Sequence, residues 1–163
     1  MPLYHHYQHH QQKMELTPVQ GAQKEYIDEY YLAYGSNLNI HDMKKRCPDA
    51  HLVDRFLLKG YKLAFRGPQP GRSYLTLLPA AGCEVPVALW KVSVQDKTAL
   101  DLYEDCPDLY EIHAMVLCGH PCFTYLMKPI YPYVQPSEEY IECVKQGYRD
   151  MGFDKLHLKC AYE

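Results

Sequence analysis

The stretch Tyr31-Leu32-Ala33-Tyr34-Gly35-Ser36-Asn37-Leu38 predicts a short strand followed by a loop that leads into a helix. The apolar and aromatic first half, with the residues just before it, predicts a β-strand that ends at Gly35. Asn39 then predicts the N-cap of a short helix over residues 40–46. Because a helix start leaves backbone N–H groups without partners, this junction is a place where an anionic group can bind.

The side chains of the junction suit such a ligand. Gly35 lets a ligand approach the backbone closely, and Ser36 and Asn37 add hydrogen-bond donors and acceptors. A loop of this kind can hold a carboxylate or a developing oxyanion. The alternative is an ordinary strand-to-helix turn with common capping residues.

A second candidate is Glu104, in Leu100-Asp101-Leu102-Tyr103-Glu104-Asp105. The spacing of apolar residues predicts a helix over residues 95–104, which the following Cys-Pro pair ends. A carboxylate at the C-terminal end of a helix meets the negative pole of the helix dipole, and burial would raise its pKa further. Glu104 is therefore a candidate for proton transfer near neutral pH. The alternative is a solvated acid, which is what we expect of Asp101 and Asp105.

The remaining pattern is mostly extended. Two extended stretches, a third strand and a hairpin are predicted over residues 51–65, 73–78, 85–94, and 110–117 with 122–127. A loop is predicted over residues 67–71, and Ser137 predicts the start of a last helix that ends before Gly152. This order predicts an α+β domain with a small mixed sheet, curved or closed into a barrel-like form, and a few short helices.

Length and composition restrict the class of protein. The 163 residues predict one domain over residues 26–163, preceded by a disordered His/Gln-rich tail over residues 1–25. A net charge of −3 gives no basic excess for a nucleic acid. No apolar run reaches the length of about 18 residues that a membrane span needs, and the N-terminus lacks the pattern of a secretory signal.

The cysteines and tyrosines add two expectations. Seven scattered cysteines indicate reduced thiols and a cytoplasmic protein, and Cys118 and Cys122 beside the hairpin turn are expected to be structural rather than metal ligands. Four histidines of the tail are an alternative weak metal site. Sixteen tyrosines, against four Phe and one Trp, suit the walls of a pocket for a polar ligand or, alternatively, half-exposed strand positions.

Four segments together resemble the γ-glutamylcyclotransferase family. Residues 31–38 resemble its opening motif, and residues 100–104 resemble its Leu-Asp-x-x-Glu segment, whose glutamate is catalytic. Tyr125-Leu126-Met127 and Pro136-Ser137-Glu138-Glu139-Tyr140 resemble a later strand and the entry to the last helix. One position departs from the family, which commonly has Gly directly after the catalytic Glu, where this chain has Asp105.

The resemblance implies a reaction and a set of site residues. A γ-glutamyl group would cyclise to 5-oxoproline and release an amine or amino acid, without metal or cofactor. Glu104 would be catalytic, and Tyr34, Gly35, Ser36, Asn37, Leu38, Tyr125 and Tyr140 would bind the small-molecule substrate. The protein would act as a monomer or homodimer. Two alternatives stay open: a non-catalytic module that binds γ-glutamyl or acidic ligands, and a biosynthetic cyclotransferase for γ-glutamyl-amines or an acylated carrier protein.

Overall fold

The structure, a computed structural model, describes residues 24–163. The predicted tail over residues 1–25 therefore lies outside the described residues, except for Lys24 and Glu25. These two residues contact the domain: the Lys24 ammonium pairs with Asp49, and the Glu25 carbonyl accepts a hydrogen bond from the Val94 N–H at 2.9 Å.

The described chain contains five strands, three α-helices and two 3-10 helices. The strands are β1 (Tyr30–Ala33), β2 (His51–Gln69), β3 (Arg72–Lys91), β4 (Tyr110–Leu117) and β5 (His120–Met127). The α-helices are α1 (Ile40–Arg46), α2 (Val94–Tyr103) and α3 (Glu138–Met151), and the 3-10 helices are Ser36–Leu38 and Lys155–Tyr162. The α+β class predicted from the sequence is confirmed.

All five strands form one mixed sheet in the order β2-β3-β1-β5-β4. The short strand β1 lies at the centre, antiparallel to β3 and parallel to β5. The sheet is open, so the barrel-like alternative was wrong. Within the described residues β2 pairs only with β3 and β4 only with β5, and the two edge strands do not meet.

The strands β2 and β3 form one long hairpin, where the sequence predicted three separate extended stretches with a loop over residues 67–71 between the first two. The predicted loop over residues 67–71 shrinks to a turn at Pro70 and Gly71, with Gly71 at φ 84°. Gly67 lies within β2, where an added Cβ would stand 1.8 Å from the Arg72 carbonyl oxygen. Glycine there marks a close approach of two strands rather than a loop, and sequence alone does not distinguish the two.

The predicted helix limits are nearly those observed. Asn39 accepts a hydrogen bond from the Asp42 N–H at 3.1 Å at the start of α1, and Ser137 accepts one from the Tyr140 N–H at 3.1 Å at the start of α3. Gly152 ends α3 in the left-handed conformation, at φ 71°. Helix α2 starts one residue earlier than predicted, because Ser93 and Asp96 form a reciprocal capping box, and it leaves Glu104 as its C-cap.

The core lies on both sides of β1. Leu32 is fully buried, and its carbonyl accepts a hydrogen bond from the Thr124 hydroxyl at 2.8 Å. Because β1 is anchored by strands on both edges, the residues that follow it leave the sheet at one defined place. Among residues 24–163, no helix has the length and apolar character needed to cross a membrane.

Candidate active site

The loop after β1 is held in place from behind by α3. Residues Ser36–Leu38 form a single buried 3-10 turn. Gly147 of α3 packs so closely on this turn that an added Cβ would lie 2.7 Å from the Asn39 backbone nitrogen and 2.8 Å from Leu38. The Asn39 amide also donates to the Cys143 carbonyl of α3 at 3.3 Å. The loop therefore takes its position from a helix more than 100 residues later in the sequence.

In front of this loop lies a cavity of about 180 Å³. Its walls are mainly aromatic and polar, and seven of its residues are tyrosines: Tyr31, Tyr34, Tyr74, Tyr103, Tyr110, Tyr125 and Tyr140. The other residues that line the cavity are Gly35, Ser36, Asn37, Arg72, Leu75, Glu104, Asp105 and Leu109. The tyrosine richness of the sequence therefore has a structural counterpart in this pocket.

Glu104 stands in the pocket wall at the C-terminal end of α2. Burial raises the pKa of its carboxyl from 4.5 to about 7, and the positive charge of Arg46 opposes this shift. The carboxyl is thus divided between its charged and neutral forms near neutral pH. This is the property required of a group that first accepts and later donates a proton.

Arg46, at the end of α1, connects the loop with the helix that carries Glu104. Its guanidinium donates to the Asn37 side-chain oxygen and lies over the Tyr103 ring, 3.4 Å from the ring centroid. The Tyr103 hydroxyl lies 2.9 Å from the Ser36 hydroxyl. Arg46 was not predicted as a site residue, since a basic residue in the last turn of a helix is common.

The predicted loop residues have different surroundings. Gly35 lies against the Tyr140 hydroxyl and Leu75, and Ser36 faces Tyr103. The Asn37 amide donates to the Tyr31 hydroxyl at 3.0 Å, so both ends of this side chain are used inside the protein. Leu38 is fully buried in the core, its N–H donates to the Gly35 carbonyl at 3.1 Å, and it does not line the pocket.

The three predicted tyrosines all line the pocket, and each hydroxyl contacts the protein. Tyr34 donates to the Tyr125 carbonyl, and the Tyr140 hydroxyl accepts from the Leu75 N–H at 2.9 Å. The Tyr125 hydroxyl donates to the Asp101 carboxylate at 2.5 Å. Asp101 is therefore only partly exposed and supports a pocket residue, whereas the sequence predicted a solvent-facing acid.

A charged pair lies at the mouth of the pocket. Arg72, at the start of β3, is 3.8 Å from the Asp105 carboxylate, and their side chains keep 46% and 56% of their surfaces exposed. Asp105 is exposed, as predicted, and adopts a left-handed conformation with φ 48°. This conformation costs residues other than glycine about 1–2 kcal/mol, and Asp and Asn tolerate it best, so the backbone accommodates Asp105.

Neither hairpin cysteine is near this site. Cys118 is exposed in the turn before β5, Cys122 is buried in β5, and both thiols are free. Among residues 24–163, no group of three or more His, Cys, Asp or Glu side chains is arranged to hold a metal ion. The histidines of the tail lie outside the described residues.

Fold and pocket together define an α+β domain with one acid, of raised pKa, in a tyrosine-lined cavity. A sequence profile of the family described as "Gamma-glutamyl cyclotransferase, AIG2-like" matches residues 31–148. The chain therefore belongs to this family. None of the curated proteins matches the chain.

Solved structures agree with the family. A protein named "Gamma-glutamyl cyclotransferase" is 25% identical, with a TM-score of 0.67 over 76% of this chain and 80% of its own. The uncharacterized protein loc79017 from Homo sapiens is 26% identical, with the same TM-score and coverage. YkqA from Bacillus subtilis, 21% identical with a TM-score of 0.65 over 81% of this chain and 52% of its own, shares the fold.

Proposed function

We propose that the protein is a γ-glutamylcyclotransferase, which converts a γ-glutamyl amide to 5-oxoproline and a free amine or amino acid. The observation that carries this proposal is the position of Glu104, whose carboxyl has a pKa of about 7 and faces the same cavity as Gly35 and Ser36. The proposal combines one proton carrier with a loop that can hold a developing negative charge. Family membership supports the same reaction class.

The reaction begins with proton removal. The Glu104 carboxylate takes a proton from the substrate's α-ammonium group, and the resulting amine attacks the γ-carbonyl carbon. The C–N bond of a five-membered ring forms, and the carbonyl oxygen becomes an oxyanion. Because the nucleophile and the carbonyl belong to one molecule, the protein needs only to orient them. Correct orientation can lower the activation barrier by a large part of the total reduction.

The oxyanion then collapses and the leaving amine departs. N–H groups in the first turn of a 3-10 helix have no acceptor within the helix, and Ser36 and Asn37 of this turn line the pocket, so their N–H groups are the candidates that hold the oxyanion. Neutral Glu104 donates its proton to the leaving nitrogen as the scissile C–N bond breaks. The Glu104 carboxylate then takes the second proton of the ring nitrogen, and this proton leaves with the released amine as its ammonium form. The products are 5-oxoproline and the amine, and no water is consumed.

The pKa of Glu104 matches this double role. A carboxyl with an ordinary pKa would be too weak a base for an ammonium group and a rare acid at neutral pH. Burial raises the pKa of Glu104, and Arg46 keeps it from rising further. Tyr31, Tyr34, Tyr110 and Tyr140, whose pKa values burial raises well above the ordinary value, remain neutral around it.

The proposal is tested by incubating the full chain with γ-glutamyl amino acids and γ-glutamyl-amines and measuring 5-oxoproline. We expect release from at least one substrate, and loss of at least about 100-fold in kcat for Glu104→Gln. Asp108→Asn, which removes an exposed acid on the turn after Glu104, is the matched control and should retain activity. Binding of the substrates without product would instead support the non-catalytic module.

A further inference from the structure

The pocket is lined by both buried and exposed side chains. Ser36 of the loop and Tyr110 are buried, with 8% and 4% of their surfaces accessible. Arg72 and Asp105 form the charged part of the lining, with about half of each side chain in contact with solvent. If the glutamyl group lies against the loop, as the proposed function requires, the leaving group points to the charged part of the lining.

Arg72 is the one basic side chain that lines the pocket in the described part of the chain. It lies outside all four segments that resemble the family. The segment around Glu104 carries acidic residues instead. A leaving amino acid carries its carboxylate one atom away from the scissile nitrogen, and Glu104 must reach that nitrogen. The carboxylate therefore comes near Arg72, whose planar guanidinium suits it.

The negative charge of Asp105 repels the leaving group's carboxylate, which Arg72 attracts. Its position is set by the backbone, because it directly follows Glu104 in a left-handed conformation that disfavours most side chains. Among the side chains that this conformation tolerates, Asp is the one that places a negative charge here. At the pocket mouth this charge repels a carboxylate and competes with it for Arg72.

We propose that Arg72 and Asp105 form a charge filter that sets which leaving groups the pocket accepts. Arg72 favours a leaving group with a carboxylate beside the scissile nitrogen, and Asp105 limits that preference. This inference rests on the proposed function and adds two specificity-determining residues to it. Neither residue takes part in the proton transfers, which belong to Glu104.

Two substrates isolate the effect of the carboxylate. γ-Glutamyl-alanine and γ-glutamyl-ethylamide have the same glutamyl group and differ only in the carboxylate of the leaving amine. The selectivity is the ratio of kcat/KM for the alanine compound to kcat/KM for the ethylamide. A residue that binds the α-carboxylate of the glutamyl group would change both values together and leave the ratio unchanged.

Substitutions of Arg72 and Asp105 should change the selectivity ratio in opposite directions. Arg72→Gln should lower the ratio by about fivefold or more, and Asp105→Asn, which tolerates the left-handed backbone, should raise it about threefold. Both effects should shrink at high salt, because the charges are exposed. Lys59→Gln on β2 and Asp108→Asn, which change the same charges outside the pocket, are the matched controls and should leave the ratio unchanged.

Binding separates this inference from the proposed function. The dissociation constants of both compounds are measured in a Glu104→Gln background, with and without Arg72→Gln, where the same change in preference is expected. An unchanged ratio in both measurements, or equal loss for both substrates, would overturn the filter while leaving cyclisation intact. A changed binding preference with no 5-oxoproline from the wild type would contradict the proposed function alone. Absence of any binding would overturn both.

Discussion

At the scale of single residues, the site depends on one carboxyl and its neighbours. Burial in the pocket wall raises the pKa of Glu104 to about 7, which makes this side chain unfavourable for stability and favourable for proton transfer. Arg46 lowers that pKa while it holds Asn37 and Tyr103. Loss of the Glu104 carboxyl should therefore raise stability and lower activity.

Glu104 should reduce stability in a pH-dependent way. Its pKa is higher in the folded state than in the unfolded state, so the folded state binds the proton more tightly between about pH 4.5 and about pH 7. Across that range rising pH costs about 3 kcal/mol of unfolding free energy. We expect Glu104→Gln to raise the melting temperature more at about pH 8 than at about pH 5. An equal change in Tm at both values, measured by calorimetry, would show that the carboxyl keeps an ordinary pKa.

Arg46 should control the pH dependence of the reaction. In the proposed reaction kcat/KM requires the Glu104 carboxylate in the free enzyme, so activity should rise as the pH increases through about 7. Arg46→Met removes the charge that lowers this pKa, so the rise should move to higher pH. Lys45→Met, which removes an exposed charge from the same helix, is the control. Profiles of kcat/KM against pH that coincide for wild type and Arg46→Met would contradict this role.

At the scale of elements, the loop Ser36–Leu38 depends on the close approach of α3. Gly147 is the contact point, because no room exists for a Cβ between the helix and the backbone at Leu38 and Asn39. The geometry of the loop is thus set by a packing contact between distant segments. A small change in the packing of α3 should therefore shift the loop in the candidate active site.

Gly147→Ala tests this contact. In an exposed helix the substitution would stabilise by about 0.8–1 kcal/mol, whereas here overpacking should cost about 1–3 kcal/mol. We also expect kcat/KM to fall, since the loop must shift. Glu142→Ala, on the exposed surface of the same helix, serves as the control. Stabilisation by Gly147→Ala, measured by denaturant unfolding, would show that the helix yields easily.

The sequence predicted elements better than their association. Capping residues such as Asn39, Ser137 and Gly152 act locally, so the limits of α1 and α3 could be predicted from a few neighbouring residues. The long β2–β3 hairpin could not, because glycine and proline in a strand look the same in sequence as a loop. The open sheet likewise depends on which edges meet, and no local pattern records that.

The candidate site shows the same division. Glu104 and the loop residues 34–38 were predicted together, and Glu104 and residues 34–37 line one pocket. Leu38 was predicted with them but lies in the core, because its side chain faces away from the pocket. Arg46, Tyr103 and Arg72 were missed, since each becomes a site residue only through contacts with a distant segment.

At the scale of the whole molecule, the sheet order explains how the pocket forms. The central strand β1 delivers the loop, its neighbour β5 delivers Tyr125, and α2 delivers Glu104 from the far end of β3. Helix α3 then closes the back of the loop and contributes Tyr140. The pocket therefore combines segments that are distant in sequence, and the family profile over residues 31–148 includes all of them.

In the proposed reaction the substrate's own amine, and not water, attacks the γ-carbonyl at a site that depends on Glu104. The most direct test is turnover of γ-glutamyl-alanine by the full chain in water enriched in oxygen-18, with the products analysed by mass spectrometry. Cyclisation predicts equal amounts of alanine and unlabelled 5-oxoproline, no glutamate, and release at least about 100-fold slower from Glu104→Gln. Glutamate carrying oxygen-18 would show hydrolysis and contradict the account, as would unchanged 5-oxoproline release by Glu104→Gln.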